Sequence, residues 1–319
     1  MCTAISFVKK NHYFGRNMDY EHSFGEGVVI TPKNYKFSFS EDRGYALCGG
    51  GITVADYPLY FDAFNEHGLA VAGLNFPDNA FYNPEKTGMK NIASFEFIPW
   101  ILRQCKTVKE AKKMLAQVNI TNEHFSQSYP PSPLHWIISD RKQSITAEPV
   151  KSGLKIYDNP AGVLTNNPEF NIQLFNLNNY MHISKMPAKN RFSNKLSLAP
   201  YSRGMGGVGL PGDLSSQSRF VKATFVKFNS VCGDSEAEIV SQFFHMLYSV
   251  YQQRGCVMLK DGTYEITRYS SCCNADKGIY YYTTYENHSI NAVNMKNHDL
   301  NGGKLLFYPF NTEFNINFN

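Results

Sequence analysis

Several things are scarce in this chain of 319 residues, and each scarcity closes a class of function. Charge of one sign is the first: 31 Lys and Arg stand against 27 Asp and Glu, a formal net charge of +4. That is too mild for a nucleic-acid or anionic-membrane surface, so neither partner is expected. No apolar run approaches the roughly 18 residues of a membrane span; the longest candidate, residues 95–102, is interrupted by Glu96 and Pro99. The N-terminus lacks the basic-then-apolar order of a secretory leader, which leads us to expect a cytoplasmic protein with reduced thiols. The 7 Cys include no C-x-x-C, and the adjacent pair Cys272-Cys273 suits neither an ordinary disulfide nor a zinc knuckle. No two His have metal-ligand spacing, and neither a metal nor a cofactor is expected. His245, inside an apolar helical segment, and His135, ahead of a buried strand, read as packed residues. G-x-S-x-G and P-loop motifs are absent. Gly204–Gly209 spells G-x-G-x-x-G, but no strand precedes it and Leu210-Pro211-Gly212 opens no helix, so a glycine loop is the better reading.

What is present is a globular composition, 43% hydrophobic and 14% aromatic, with 24 Phe and 20 Tyr. The aromatic excess fits strand-rich cores first, and the wall of a groove for a bulky apolar ligand is the second reading. Strands are expected at 3–8, 27–31, 57–64 and 69–76, the last two joined by Asn65-Glu66-His67-Gly68. Helical periodicity takes over across 94–115, where Thr107-Val108-Lys109-Glu110 reads as a capping box. Strands return at 135–139, 144–148 and 154–157, followed by a loop-rich stretch over 166–216. Two helices are expected next, one at 218–228 and one opening on the capping box Ser235-Glu236-Ala237-Glu238 and running through Tyr251 toward a Gly255 cap. Strands at 264–271, 278–285 and 290–295 close the chain. This order is not the alternation of a doubly wound fold. It points to antiparallel sheets with helices in separate layers, in one domain spanning 1–319.

Cys2 is the candidate for the chemistry. Loss of Met1 would leave one residue holding both a thiol and a free α-amine, a nucleophile with a general base attached; an ordinary buried thiol is the competing reading. In Tyr13-Phe14-Gly15-Arg16-Asn17-Met18-Asp19-Tyr20, a neighbouring strand would return Arg16 and Asp19 to Cys2. Arg16 would favour the thiolate, and Asp19 would orient the ammonium.

Met1-Cys2-Thr3-Ala4, Phe14-Gly15-Arg16-Asn17-Met18-Asp19, Gly73-Leu74-Asn75-Phe76, Leu164-Thr165-Asn166-Asn167-Pro168 and Ser215-Ser216-Gln217-Ser218-Arg219-Phe220 together resemble the choloylglycine hydrolase family of bile salt hydrolases and penicillin V acylases. The resemblance covers essentially the whole chain. It implies an α+β fold, the N-terminal nucleophile hydrolase αββα sandwich of two antiparallel sheets between helix layers. It further implies catalytic roles for Cys2, Arg16, Asp19, Asn75, Asn167 and Arg219, with the Asn75 N–H and the Asn167 amide as oxyanion donors. On this footing the substrate is a conjugated bile salt cleaved through a Cys2 thioester. A penicillin V acylase is the alternative, and a non-catalytic steroid or lipid binder the remote one. The resemblance places Met18, Tyr20 and Phe24, Leu59 and Phe61, and Leu134 at the substrate. It also ties Arg203 to a taurine preference and implies a homotetramer.

Overall fold

Strand-forming residues at both ends and in the middle of the chain assemble into two large antiparallel sheets. A computed structural model describes residues 1–40 and 42–318. The first sheet has six strands in the spatial order Val163–Leu164, Cys2–Lys9, Asn11–Tyr20, Ile266–Asn274, Ile279–Thr284 and Asn291–Asn294. The second has eight, in the order Gly153–Asp158, Ser144–Val150, Leu134–Ser139, Ala70–Asn75, Tyr57–Asn65, Leu47–Val54, Gly27–Thr31 and Leu306–Pro309. Helices Phe97–Gln104 and Val108–Leu115 lie on the outer face of the second sheet, where Phe97 stacks on Trp136 with ring centroids 4.1 Å apart. Helices Ser216–Asn229 and Glu236–Tyr248 lie on the outer face of the first, burying Phe220, Phe243, Phe244 and Leu247. The result is the four-layer αββα sandwich.

Local chemistry sets most element ends. Thr107 accepts from the Glu110 N–H, but the Glu110 carboxylate reaches back to the Lys106 N–H rather than to Thr107, so the expected box forms one residue askew. Both halves of the box close at Ser235 and Glu238. The helix that follows ends at Tyr248, capped at Ser249, so Gly255 belongs to a later turn instead of terminating it. His245 is not packed as expected; it sits on the exposed stripe of that helix, between the buried Phe244 and Met246. The expected helical stretch over 94–115 is broken at Cys105–Thr107, and the loop-rich stretch contains the short helix Phe170–Asn176. Leu47–Val54 is a strand not expected from the sequence, because its Gly49-Gly50-Gly51 lacks strand propensity.

Candidate active site

The register of the first two strands builds the centre of the site. Cys2 lies opposite Met18, and Ala4 opposite Arg16. Arg16 is therefore the diagonal neighbour of Cys2 on the same face, a separation that a long side chain spans. Arg16 Nη2 lies 2.6 Å from the Cys2 sulfur, while Nη1 donates to the carbonyls of Phe61 (3.0 Å) and Gly73 (2.5 Å) in the facing sheet. Gly15 lets the Ile266–Asn274 strand come close enough for the Arg16 N–H to reach Ser271 Oγ at 3.1 Å; a Cβ at Gly15 would collide with the Ser271 carbonyl. Arg16 is 1% exposed. Burial opposes its charge, but the Cys2 sulfur, Tyr269, Asp62 and Asp19 around it outweigh burial and raise its pKa above the ordinary value.

Thr3 and Asp19 point to the other face of this sheet, toward the helices. Helix Ser216–Asn229, capped by Ser215, brings in Arg219, which donates to the Cys2 carbonyl (2.5 Å), Thr3 Oγ1 (2.7 Å) and Asn166 Oδ1 (2.7 Å). Asp19 accepts from Thr267 Oγ1 at 2.7 Å through Oδ1, while its buried Oδ2 has no hydrogen-bond partner. Burial raises the Asp19 pKa, against the pull of the α-ammonium and Arg219. Residue 1 continues the pairing: the Met1 carbonyl accepts from the Asp19 N–H (3.1 Å), the Met1 ammonium donates to the Asp19 carbonyl (3.2 Å), and it pairs with Glu265. Burial lowers the pKa of the Met1 α-amine.

The asparagines divide differently from the sequence-based expectation. Asn166 leaves the edge strand that pairs with Cys2–Lys9. Its Oδ1 accepts from the Cys2 N–H at 2.9 Å, and its Nδ2 donates to the Asn75 carbonyl at 2.7 Å. Asn167 turns away: its Nδ2 donates to the Pro77 carbonyl at 2.6 Å, and it makes no hydrogen bond to Cys2. The amide within hydrogen-bond reach of Cys2 thus belongs to Asn166. Two adjacent asparagines in a segment leaving a sheet look alike in sequence, and only the path of the chain past Leu164 separates them. Asn75 ends its strand where the ladder opens, since the neighbouring Leu134 N–H donates to Tyr82 Oη.

A cavity of about 340 Å³ opens onto Cys2, within the range of small-molecule sites. Met18, Tyr20, Phe24, Leu59, Phe61 and Leu134 all line it. Ile52, Phe95 and Phe125, which alternation in their own segments did not single out, complete an apolar wall with Tyr129. Arg203 is exposed, on a segment that does not border this chain's own cavity. Two larger surface depressions, about 590 and 920 Å³, lie away from Cys2 and hold none of the converging polar groups. Behind Arg16, the buried Asp62 accepts from Tyr269 Oη (2.7 Å), Tyr280 Oη (2.9 Å) and Ser271 Oγ (3.1 Å). The sequence signal for it was a lone carboxylate inside the apolar run Leu59–Phe64.

Residues 2–308 match the choloylglycine hydrolase family of linear amide C–N hydrolases. The chain is 53% identical over 317 residues to the bile salt hydrolase/transferase of Lactiplantibacillus plantarum, covering 98% of each chain. It superposes on the C2A mutant of the conjugated bile acid hydrolase from Clostridium perfringens with a TM-score of 0.91 and 37% identity, covering 100% of this chain and 99% of the other. Penicillin V acylase from Agrobacterium tumefaciens shares the fold, with a TM-score of 0.74, 19% identity and coverage of 97% and 91%.

Proposed function

Because this chain belongs to the choloylglycine hydrolase family of linear amide C–N hydrolases, we propose that it hydrolyses the amide joining a bile acid to taurine or glycine. In this reading the whole chain acts as one domain, and Cys2, freed by loss of Met1, is the nucleophile. The observation that carries the reading is the Cys2 sulfur, 2.6 Å from a buried guanidinium, facing an aromatic cavity. Arg16 stabilises the thiolate, and the Cys2 α-amine takes the thiol proton. The buried, unpartnered Asp19 Oδ2 supports a role for Asp19 in orienting that amine once it becomes an ammonium. Sulfur attacks the amide carbon, and the carbonyl electron pair moves onto oxygen. The Asn75 N–H and an Asn166 amide hydrogen receive the oxyanion. The ammonium then passes its proton to the departing nitrogen as the C–N bond breaks. Water, losing a proton to the same amine, attacks the thioester and releases the bile acid and the thiolate. An amine in place of water would turn the same thioester into a new amide, the transferase half of the Lactiplantibacillus relative's name.

We read the enzyme as a cytoplasmic homotetramer. Phe175, Met181, Phe192 and Tyr201 are exposed in the same loop-rich region as Arg203. A neighbouring subunit that covers them would bring Arg203 to a site, where a guanidinium suits a sulfonate and a taurine preference follows. A turnover panel tests the substrate. Taurocholate and glycocholate should release taurine and glycine, taurocholate faster, with penicillin V cleaved slowly. Rapid penicillin V cleavage without bile salt turnover would instead make this an acylase, and binding without turnover a carrier. The free amine is read by intact mass: active protein should be lighter than the full chain by one methionine residue, and full activity with Met1 retained would overturn the amine's role as base.

A further inference from the structure

His135 and Glu148 form a buried pair that the reaction above does not use. Both side chains are fully buried, and His135 Nδ1 lies 3.0 Å from Glu148 Oε1. His135 Nε2 lies 2.9 Å from the Thr165 carbonyl. A carbonyl only accepts, so Nε2 carries a hydrogen. Nδ1 faces a carboxyl group, so a second proton sits between Nδ1 and Oε1 whichever atom holds it; two lone pairs would otherwise meet without water. Glu148 spends its remaining capacity on the Phe170 N–H, accepted by Oε1 at 3.0 Å and Oε2 at 3.2 Å. The imidazole also stacks on Phe76, with centroids 4.2 Å apart and planes at 5°.

These contacts converge on the two asparagines from below. Phe76 follows Asn75, and Thr165 precedes Asn166. Gln173 strengthens the same segment, accepting from Thr165 Oγ1 at 2.8 Å and donating to the Asn166 carbonyl at 2.6 Å. We infer that the proton-bridged His135–Glu148 pair is a positioning unit that sets the Asn75 and Asn166 amides for the oxyanion, through the Thr165 carbonyl and the Phe76 ring. This rests on the functional reading above. His135 touches neither the sulfur nor the cavity, so its effect belongs on kcat, not on substrate binding.

The test uses three variants of the whole enzyme and one spectrum of the wild type. H135F/E148L replaces both partners by apolar groups, which avoids a lone buried charge and lets the chain fold. It should keep a wild-type-like circular dichroism spectrum and KM while kcat falls about 100-fold, the scale of misplacing reacting groups by an ångström. E148L alone should fall comparably. E148Q should lose far less, because a glutamine amide hydrogen takes the place of the bridging proton while its oxygen still accepts from Phe170. In 15N spectra of histidine-labelled wild type, His135 should show a protonated Nε2 and a proton shared at Nδ1. A folded H135F/E148L enzyme with wild-type kcat would overturn the inference. So would a rise in KM at constant kcat, E148Q as impaired as E148L, or a proton-free Nδ1. If the wild type cleaves no bile salt conjugate, the functional reading fails by itself, and the spectrum still reports on the pair.

Discussion

Cys2→Ala is expected to lower hydrolysis of a bile salt conjugate by about 10⁶-fold, the order of loss when a covalent nucleophile is deleted from an intact site. The remaining donors and the cavity bind substrate still, so KM for residual turnover, or Kd by calorimetry, should change little. Cys2→Ser should also fall steeply. The Arg16 guanidinium at 2.6 Å is placed to hold a thiolate, whereas an alcohol stays protonated beside it and is the weaker nucleophile. The informative control is Cys105→Ser. Cys105 is buried under the opposite helix layer, its sulfur 3.0 Å from Met114 Sδ, and burial pushes its thiol up to about 12. It should tolerate the change with full activity. All seven thiols are unpaired, with Cys256 exposed and Cys232 half-buried. Alkylation should therefore be followed in a C232S/C256S background, where one equivalent of iodoacetamide on Cys2 should track the loss of activity. Inactivation without modification of Cys2, or a C2A enzyme retaining a tenth of its rate, would remove Cys2 from the mechanism.

Why Cys2 and Arg16 were legible before any coordinates, while Asn166 was not, follows from the kind of order each depends on. A two-residue offset across a hairpin is fixed by strand pairing alone, and Cys2 opposite Met18 delivers Arg16 to the sulfur. The capping residues Thr107 and Ser235 act over three or four residues, and each starts its helix. Cavity-lining residues on strands, such as Leu59 and Phe61, share a face by their period of two. Where contacts join distant segments across an irregular loop, that logic stops. Asn166 meets Asn75 across 91 positions, and its neighbour Asn167 is chemically identical. Arg203 sits on an exposed loop away from the cavity. Strand Leu47–Val54 is held by its neighbours on both sides, not by the propensity of its three glycines. His245 shows the limit of periodicity from the other side: an apolar helix still keeps one face in water, and the count of apolar neighbours did not say which.

The pair Asn166 and Asn167 turns that ambiguity into the second large prediction. A primary amide has two hydrogens on nitrogen. Asn166 Nδ2 gives one to the Asn75 carbonyl at 2.7 Å, leaving the other for a developing oxyanion, while its Oδ1 holds the Cys2 nitrogen and Arg219. Asn166→Ala should therefore reduce kcat by about 10²–10³-fold, the worth of one oxyanion donor, with a further loss if Cys2 drifts. Asn166→Asp preserves shape and the Oδ1 contacts but presents an acceptor to the Asn75 carbonyl and to the oxyanion, so it should not rescue. Asn167 donates instead to the Pro77 carbonyl, and Pro77 borders the cavity. Its loss removes one ordinary hydrogen bond, about 1 kcal/mol of local support, and should act on KM and thermal stability while kcat stays within about threefold. The four rates for Asn166→Ala, Asn166→Asp, Asn167→Ala and the wild type, each with its KM and melting temperature, separate the two residues. Should Asn167→Ala lose the hundredfold in kcat and Asn166→Ala lose little, the oxyanion donor would be the residue that turns away from Cys2 here, and the chain from Leu164 to Pro168 would have to rearrange when substrate binds.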